Sequence, residues 1–333
     1  MHPGAGTFVV TAAAIARDMR HALGVWAALK PQDTAFTFMA RGEEVTESLS
    51  FGVLQQRSAS LAAVLATQIP RGDPALLIYP PGLGFVEALF ACFLAGVVAV
   101  PVPSPVTARA SARIATILAA AGARTVLTTE ALAADDALRQ ALGPVCGWIA
   151  TDTVPPAAAG AQIDSASWDP EDVALVQFTS GSTAAPRGVS VSFANLMANH
   201  AMIAPVFGAD PAEPSITWLP VFHDMGLIGT ILYPFQAGRS THIMPPFSFL
   251  QKPVRWLRAI SRLGATGSGG PSFAYDLCAR MVTQQQRKGL DLSRWTTAFC
   301  GAEPIRRAAL QRFAAAFAPC GFDPAAFLPC YGL

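Results

Sequence analysis

A strand, helix and strand pattern near residue 90 restricts the possible folds more than any other part of the sequence. Residues 75–79 are an apolar run that ends in a Pro-Pro-Gly turn, and residues 85–95 have the composition of a buried helix. Residues 97–100 form a β-branched run that Pro101 closes. Two buried strands joined through a helix make a βαβ unit with parallel strands. The segment therefore predicts a parallel sheet covered by helices.

The same alternation continues downstream. The pattern predicts a helix around residues 110–121, a strand at 125–128 and an Ala-rich helix around 130–141. A further strand is predicted at 173–178, and a helix at 193–202 whose start is signalled by a preceding serine. An α/β fold with largely parallel sheets follows from this repetition.

The length of the chain and one polar segment predict two subdomains. At 333 residues the chain exceeds the size at which one hydrophobic core usually keeps growing. Residues 154–169 are rich in Pro, Ala, Gly, Ser and Asp without periodicity, which indicates a linker or a long surface loop. We therefore expect a subdomain 1–153, a linker 154–169 and a second α/β subdomain 170–333.

Charge and cysteine content exclude several classes of function. The formal net charge is +1, and no Lys/Arg run is longer than a pair, so neither nucleic acid nor an anionic membrane is expected as the main partner. The six cysteines lie far apart and show no Cys/His spacing of a zinc site. With no pattern of a secretory signal at the N-terminus, a reducing cytoplasm is the predicted compartment.

The uncharged segment 88–103 raises the possibility of a membrane span. A span needs roughly 20 apolar residues, and Gly96 and two prolines interrupt this segment. We interpret it as a buried helix followed by a buried strand, with no membrane span.

Residues 176–189 combine four hydroxyl side chains, two glycines and one cation between two predicted strands. Hydroxyls and free backbone N–H groups can bind phosphate oxygens, and glycines allow close backbone approach. Arg187 can neutralise charge, and a threonine oxygen such as that of Thr183 can reach Mg²⁺. The order of a Walker loop is absent. From composition alone, an ordinary Ser/Thr-rich surface turn is an equal alternative.

Three further segments hold candidate residues. His223 and Asp224 form an adjacent pair, for which a structural histidine is the alternative. The run Ser268-Gly269-Gly270-Pro271 is a Gly-rich bend whose backbone could approach a nucleotide or an acyl chain, with a plain tight turn as the alternative. Phe273 and Tyr275 could line an apolar tunnel, although aromatic residues at this spacing are more often core.

The segment 179–189, Thr-Ser-Gly-Ser-Thr followed by Pro-Arg-Gly-Val, resembles the phosphate loop of the adenylate-forming superfamily. That superfamily contains acyl-CoA synthetases, luciferases and the adenylation domains of peptide synthetases. Its members usually have Gly where Ala184 stands and Lys where Arg187 stands. Alanine at a position that needs positive φ costs about 1 kcal/mol, and arginine offers a planar fork instead of an ammonium group. The resemblance therefore implies nucleotide binding, with a rate that these departures could reduce.

Three motifs downstream of this loop are similar to those of fatty acyl-AMP ligases. The similarity rests on His-Asp-Met-Gly-Leu-Ile-Gly at 223–229, Phe-Leu-Gln-Lys-Pro at 249–253 and Ser-Gly-Gly-Pro-Ser-Phe-Ala-Tyr-Asp at 268–276. It implies that ATP and Mg²⁺ are used to convert a medium- or long-chain fatty acid into an acyl-adenylate. The acyl group would then pass to an acyl carrier protein beside a polyketide or peptide synthase. The alternatives are an acyl-CoA synthetase and a non-catalytic nucleotide- or acyl-binding module.

The resemblance also implies roles for individual residues. The catalytic residues would be His223 and Arg187. The acyl substrate would contact His223, Asp224, Met225, Gly269, Gly270, Phe273 and Tyr275, and Mg²⁺ would contact Thr183. The nucleotide would contact Thr179, Ser180, Gly181, Ser182, Thr183, Gly188, Gly301, Ala302, Glu303, Tyr331 and Gly332.

The last three residues match the start of a motif whose ring packs on adenine and whose Glu, two residues further on, assists Mg²⁺. Because the sequence stops within this motif, we expect residues 1–333 to be an incomplete N-terminal domain of an adenylate-forming enzyme. It would be a fragment or truncated gene product that lacks the C-terminal domain. We expect it to have little or no activity by itself.

Overall fold

The computed structural model of the protein describes residues 16–105, 107–143, 147–156, 168–178, 186–208 and 210–331. The strands are β1 (Thr34–Phe38), β2 (Glu47–Ser50), β3 (Pro74–Ile78), β4 (Val98–Val102), β5 (Thr125–Thr128), β6 (Gly147–Ala150), β7 (Val173–Phe178), β8 (Gly188–Ser192), β9 (Ser215–Thr217), β10 (Thr241–Ile243), β11 (Gly267–Gly269), β12 (Thr297–Cys300) and β13 (Phe327–Pro329).

The α-helices are α1 (Met19–Leu29), α2 (Phe51–Gln68), α3 (Gly84–Ala95), α4 (Ala108–Ala121), α5 (Glu130–Ala133), α6 (Asp136–Leu142), α7 (Phe193–Phe207), α8 (Asp224–Leu227), α9 (Tyr233–Gln236), α10 (Pro246–Gln251), α11 (Val254–Leu263), α12 (Ser272–Met281), α13 (Gln284–Arg287) and α14 (Arg307–Phe317). A π-helical segment, Ile228–Leu232, joins α8 to α9. Short 3₁₀ turns lie at Thr151–Thr153, Ala318–Cys320 and Pro324–Ala326.

The chain forms two compact units, each built on one sheet. The six-stranded unit contains the described residues of Ala14–Asp33 and Leu49–Met202, and the seven-stranded unit those of Thr34–Ser48 and Ile203–Leu333. Their strand orders are β6-β5-β3-β4-β7-β8 and β13-β12-β11-β9-β10-β1-β2. The predicted α/β class with two largely parallel sheets covered by helices is confirmed.

The six-stranded unit contains the βαβ segment that the sequence predicted. Strands β3 and β4 run parallel, with Leu76 paired to Val100, and α3 connects them. Helix α3 is apolar except for Glu87 in its first turn, and it ends at Gly96, whose φ of 69° is the left-handed conformation that glycine adopts without a Cβ penalty. Among the described residues, none of the helices combines the length and the apolar character that a membrane crossing requires.

Strand β4 extends two residues further than predicted, through Pro101. The Val98 N–H donates to Asp73 on the β3 side, and alternate residues of a strand point their N–H groups to opposite neighbours. The missing N–H of Pro101 therefore faces β7, where β4 is paired only at Ala99 and Leu175 among the described residues. A proline is tolerated here because the ladder on that side is short.

The seven-stranded unit has parallel pairs along most of its sheet, from β13 through β12, β11, β9 and β10 to β1. Its core is aromatic. Trp256 and Trp295 lie edge to face at 5.1 Å between ring centroids, and Tyr275 stacks on Trp295 at 6.2 Å. Aromatic pairs of this kind add about 0.5–1.5 kcal/mol each beyond the burial of area.

The boundaries between the two units do not lie in the predicted linker 154–169. Strand β7 pairs in parallel with β4, and β8 pairs antiparallel with β7, so both belong to the first sheet instead of the predicted subdomain 170–333. Strand β1 joins the second sheet through β10, with Phe36 opposite Thr241. A composition break cannot reveal this, because neighbours in a parallel sheet need not be close in sequence.

Two helices differ from their predicted bounds. The Ala-rich helix predicted at 130–141 is two short helices, α5 and α6, because Asp135 begins a new helix by accepting a hydrogen bond from the Leu138 N–H at 3.0 Å. Helix α7 begins after Ser192 as predicted, and Ser192 and Asn195 exchange side-chain to backbone hydrogen bonds. The helix then continues five residues beyond the predicted end, to Phe207.

Candidate active site

Most of the predicted site residues of the seven-stranded unit follow the carboxyl ends of four neighbouring strands. Strands β13, β12, β11 and β9 are adjacent in the sheet. His223 follows β9, Gly270 follows β11, Gly301 follows β12 and Tyr331 follows β13. We call this row of loop starts the carboxyl edge. Carboxyl ends of parallel strands are where ligands bind in open α/β sheets.

The position of His223 is fixed by the turn between β9 and α8. Its backbone N–H donates to Pro220 O at 3.1 Å, and its own carbonyl accepts from the Leu227 N–H at 2.7 Å. A Cβ on Gly226 would lie 2.1 Å from Pro220 O, so only glycine allows this turn to close. His223 is thereby held at the N-terminus of α8.

The imidazole of His223 is paired with the carboxylate of Asp224. His223 Nδ1 lies 2.5 Å from Asp224 Oδ1, and both side chains are partly exposed. This hydrogen bond raises the pKa of His223, against partial burial, which lowers it. Burial opposes ionisation of Asp224, but hydrogen bonds from His223 and the Met225 N–H outweigh it and lower the pKa of Asp224. The Met225 N–H has its shorter contact, 2.7 Å, with Asp224. Nδ1 is therefore the proton donor to Asp224.

Replacing Asp224 with asparagine is expected to lower the pKa of His223, because the carboxylate that favours the imidazolium is gone while the burial remains. The folded-state pKa of His223 lies above the ordinary value of 6.5. The stabilisation of the folded protein by the His223–Asp224 pair is thus complete below pH 6.5, the ordinary pKa of histidine. It is lost as the pH rises through the folded-state pKa of His223. An NMR titration of the His223 ring in the wild type and in Asp224→Asn measures the change. Equal pKa values in the two proteins would contradict the assignment.

Gly269 and Gly270, which were predicted to contact the acyl chain, are also constrained by packing. Gly269 lies in β11, and a Cβ there would approach Phe299 O to 2.1 Å. A Cβ on Gly270 would approach Trp218 Cζ2 to 2.6 Å. Both glycines make room for protein atoms, so the segment begins as a strand and its glycines are required by packing.

We expect Gly269→Ala to destabilise the seven-stranded unit by about 1–3 kcal/mol or more, the usual cost of overpacking. Gly229→Ala is the matched control, because a Cβ at Gly229 meets nothing within 4 Å. Urea denaturation followed by tryptophan fluorescence compares the two variants. If Gly269→Ala and Gly229→Ala had similar free energies of unfolding, the sheet would have to accommodate a Cβ at Gly269 without cost.

Tyr275, which was predicted to contact the acyl chain, packs in the core of the seven-stranded unit. Its side chain is fully buried, and its hydroxyl donates to Phe299 O at 2.8 Å. Phe273 is only partly buried and lies edge to face with Trp218 at 6.2 Å. Of the two aromatic residues predicted to contact the acyl chain, Phe273 alone lies beside the carboxyl edge.

The bend after β12 is tied to the loop after β11. Ser272 Oγ and the Phe273 N–H donate to Glu303 Oε1 at 2.6 and 2.9 Å, which places a carboxylate at the N-terminus of α12. Sequence reasoning did not select Ser272. Ala302 has a φ of 64°, a left-handed conformation that costs a non-glycine residue about 1–2 kcal/mol. A Cβ on Gly301 would approach Cys330 O to 2.6 Å.

Other predicted residues lie at the ends of the described segments. The Tyr331 side chain is 87% exposed, and Gly332 lies outside the described residues. The phosphate-loop residues Thr179, Ser180, Gly181, Ser182 and Thr183, with Ala184, also lie outside them. Arg187 is exposed at the start of β8. A Cβ on Gly188 would approach Val176 Cγ1 to 2.8 Å, so this glycine allows β7 and β8 to pair closely.

Trp218 is a second residue that the sequence did not single out. Its ring is 3% exposed, stacks on Phe249 at 4.1 Å between centroids and touches the Gly270 backbone. Within the described residues its Nε1 has no hydrogen-bond acceptor. Buried N–H donors usually have acceptors, so this donor at the carboxyl edge is a candidate for a ligand oxygen. Among all the residues that the structure describes, no group of three His, Cys, Asp or Glu side chains could hold a metal ion.

The fold and the loops define an α/β protein whose candidate site lies at the carboxyl ends of parallel strands. Residues 23–333 match the family described as AMP-binding enzyme. The chain belongs to this family.

Individual relatives narrow the comparison. The chain is 38% identical over 313 residues to the medium-chain-fatty-acid–[acyl-carrier-protein] ligase JamA of Moorena producens, covering 90% of this chain and 52% of JamA. It is 34% identical to the corresponding ligase TtuA of Teredinibacter turnerae, covering 91% of this chain and 53% of TtuA. The chain thus spans about half the length of these curated relatives.

Solved structures agree with the sequence relatives. A fatty acid AMP ligase from Legionella pneumophila superposes with a TM-score of 0.87 at 35% identity, covering 96% of this chain and 56% of that one. A fatty acyl-adenylate ligase from L. pneumophila, solved with acyl adenylate and pyrophosphate, gives a TM-score of 0.85 at 34% identity with the same coverage. The McyG adenylation and carrier protein, at 20% identity, shares the fold.

Proposed function

We propose that the protein activates a medium- or long-chain fatty acid with ATP, forming an acyl-adenylate and pyrophosphate, and that the acyl group then passes to an acyl carrier protein. The observation that carries the proposal is the row of four loops at the carboxyl edge, with His223 in one of them. The similarity to JamA supports a fatty acid as the substrate and a carrier protein as the acceptor.

In the proposed reaction a carboxylate oxygen bonds to the α-phosphorus of ATP, the bond from that phosphorus to the bridging oxygen breaks, and pyrophosphate leaves with the electron pair. A fatty acid is already ionised at neutral pH, so no general base is needed. Catalysis then rests on positioning and on neutralising charge.

We assign His223 an orienting role in this reaction. Its Nδ1–H is engaged by Asp224, which leaves Nε2 as the second donor of the imidazolium. The Nε2–H can hold one carboxylate oxygen while the other reacts. The raised pKa of His223 keeps this donor charged to higher pH than an ordinary histidine.

We propose that Thr179 to Thr183, with Arg187 and Gly188, contact the phosphates. Gly301, Ala302, Glu303, Tyr331 and Gly332 would surround the adenine. The carboxylate of Glu303 is already committed to α12, so its backbone is the part available to the base. Mg²⁺ would be held by Thr183, which lies outside the described residues, and would neutralise phosphate charge.

ATP–pyrophosphate exchange in the full-length gene product tests the proposal, with hydroxamate trapping to identify the acyl-adenylate. We expect exchange that depends on fatty acid, and transfer to the phosphopantetheine thiol of a carrier protein. The putative fatty-acid–CoA ligase fadD21 of Mycobacterium leprae is 34% identical to the chain, so CoA is the second acceptor to offer. Efficient CoA thioester formation would favour an acyl-CoA synthetase. ATP binding by calorimetry without exchange would favour a binding module.

A further inference from the structure

A small cavity in the seven-stranded unit lies behind strands β9 and β11. Three aromatic side chains, Phe207, Tyr233 and Phe299, contribute to its wall, and its interior of about 10 Å³ is that of a single water molecule. Phe207 is the last residue of α7. Its ring stacks on Phe299 at 5.6 Å between centroids and lies edge to face with Tyr233 at 6.0 Å. Phe207 thus contacts both of the other aromatic rings of the wall.

The polar groups around the cavity are used by the protein itself. Arg239 is 2% exposed, and its guanidinium donates to the Glu213, Phe207 and Gly208 carbonyls and to Thr266 Oγ1 at 2.7–3.4 Å. Glu213 Oε2 lies 3.4 Å from Arg239 Nη2 and balances the charge. Thr230 Oγ1 donates to the Gly226 carbonyl and lies 2.9 Å from Thr217 Oγ1. These groups are satisfied within the protein, so an apolar occupant would leave none of them without a partner.

The cavity lies on the same helical segment as His223. His223 precedes α8, which continues through the π-helical segment into α9, and Gly229, Thr230 and Tyr233 from this segment line the cavity. At about 1.5 Å per residue, Gly229 lies about 9 Å and Tyr233 about 15 Å from His223 along the axis. An alkyl tail whose carboxylate is held at His223 and which follows this segment would end among the three aromatic rings.

Resting on the proposed function, we infer that Phe207 sets the upper limit on the length of the acyl chain. The ring of Phe207 is the part of the wall to remove, because Phe207 ends α7 and is only partly buried, whereas Phe299 lies within β12. Gly229 is the position at which the space for the acyl chain can be reduced. It lines the cavity, and a Cβ there meets no atom within 4 Å, so a larger side chain would occupy the space left for the tail.

The chain-length profile of ATP–pyrophosphate exchange in the full-length gene product tests this inference. Phe207→Ala is expected to raise kcat/KM for longer relative to shorter straight-chain acids by on the order of tenfold to a hundredfold, the range that one methylene is worth in a hydrophobic pocket. Phe207→Leu should give a smaller shift, and Gly229→Val a shift toward shorter acids. Val206→Ala, an exposed neighbour on α7, is the control and should keep the wild-type profile.

The outcomes separate the two proposals. Wild-type exchange with an unchanged profile in both Phe207→Ala and Gly229→Val would overturn the inference and leave the proposed function in place. No fatty-acid-dependent exchange in the wild type at any chain length would overturn the proposed function itself. Thermal unfolding of each variant, and ATP binding by calorimetry, show that a lost activity is not lost folding. If Phe207→Ala does not fold, Phe207→Leu and Gly229→Val still decide the inference.

Discussion

Replacing Arg20 with alanine is expected to lower the free energy of unfolding of the six-stranded unit by about 3–5 kcal/mol, the usual cost of removing one partner from a buried ion pair. The Arg20 side chain has no exposed surface, and Asp18 beside it is 2% exposed. Without the guanidinium, the buried Asp18 carboxylate would keep only the imidazole of His21 beside it, with Nδ1 at 3.5 Å from Oδ1.

The contacts of Arg20 explain the size of the effect. Its guanidinium contacts Asp18 Oδ2 at 2.5 Å and Asp172 Oδ2 at 3.1 Å, and donates to the Asp169 carbonyl at 2.9 Å. It also lies over the Phe193 ring at 3.9 Å, a cation–π contact that is strong when desolvated. One side chain thus joins α1, the start of β7 and the start of α7 within this unit.

Hydrogen exchange read by mass spectrometry measures the effect of Arg20→Ala unit by unit, which matters because a chain with two units need not unfold in one step. We expect lost protection in α1 and β7, with β12 unchanged. Arg71→Ala is the matched control. Arg71 pairs with the same Asp172 at 2.6 Å but is 43% exposed, so its loss should cost about 0–1 kcal/mol. Equal effects of the two substitutions would contradict the special role of burial.

Replacing His223 with alanine is expected to lower kcat/KM for acyl-adenylate formation by about 10²-fold, the order of loss that follows when a reacting group is misplaced by about 1 Å. The reason is that the imidazolium of His223 would no longer hold the carboxylate oxygen. The measurement is ATP–pyrophosphate exchange in the full-length gene product, with saturating ATP and varied fatty acid.

His223 is also the N-cap residue of α8, and the two roles have to be separated. His223→Asn keeps a good N-cap residue but has no imidazolium. If the orienting role is right, both variants lose activity while His223→Asn retains the wild-type melting temperature. Full activity in His223→Asn would reduce the role of His223 to capping.

Local structure in this chain was readable from the sequence, because local signals determine it. The bounds of β5 and β7 agree with the prediction, and α3 and α4 both end at glycines with positive φ. The order of the strands was not readable. Thr37 of β1 lies beside His242 of β10. No pattern within either segment predicts that these two strands pair.

The packing of the candidate site could be predicted less well than its local motifs. His223 and Asp224 lie at the carboxyl edge, and Gly269, Gly270 and Tyr275 have packing roles that the motifs did not indicate. Contact of these residues with the substrate stays a prediction. A glycine that admits a ligand and one that admits a neighbouring strand look the same in a sequence. The role of Phe207 could not be read at all, because its partners Tyr233 and Phe299 are brought together only by the sheet and the helices behind it.

The glycines of the carboxyl edge restrict how this protein can change over evolutionary time. A side chain on Gly269, Gly270 or Gly301 would collide with atoms of another loop or strand at that edge. A substitution in one loop therefore requires a compensating change in its neighbour, and single steps are blocked. New preferences for substrate would arise more easily away from these loops, at positions such as Gly229, where a larger side chain meets no obstacle.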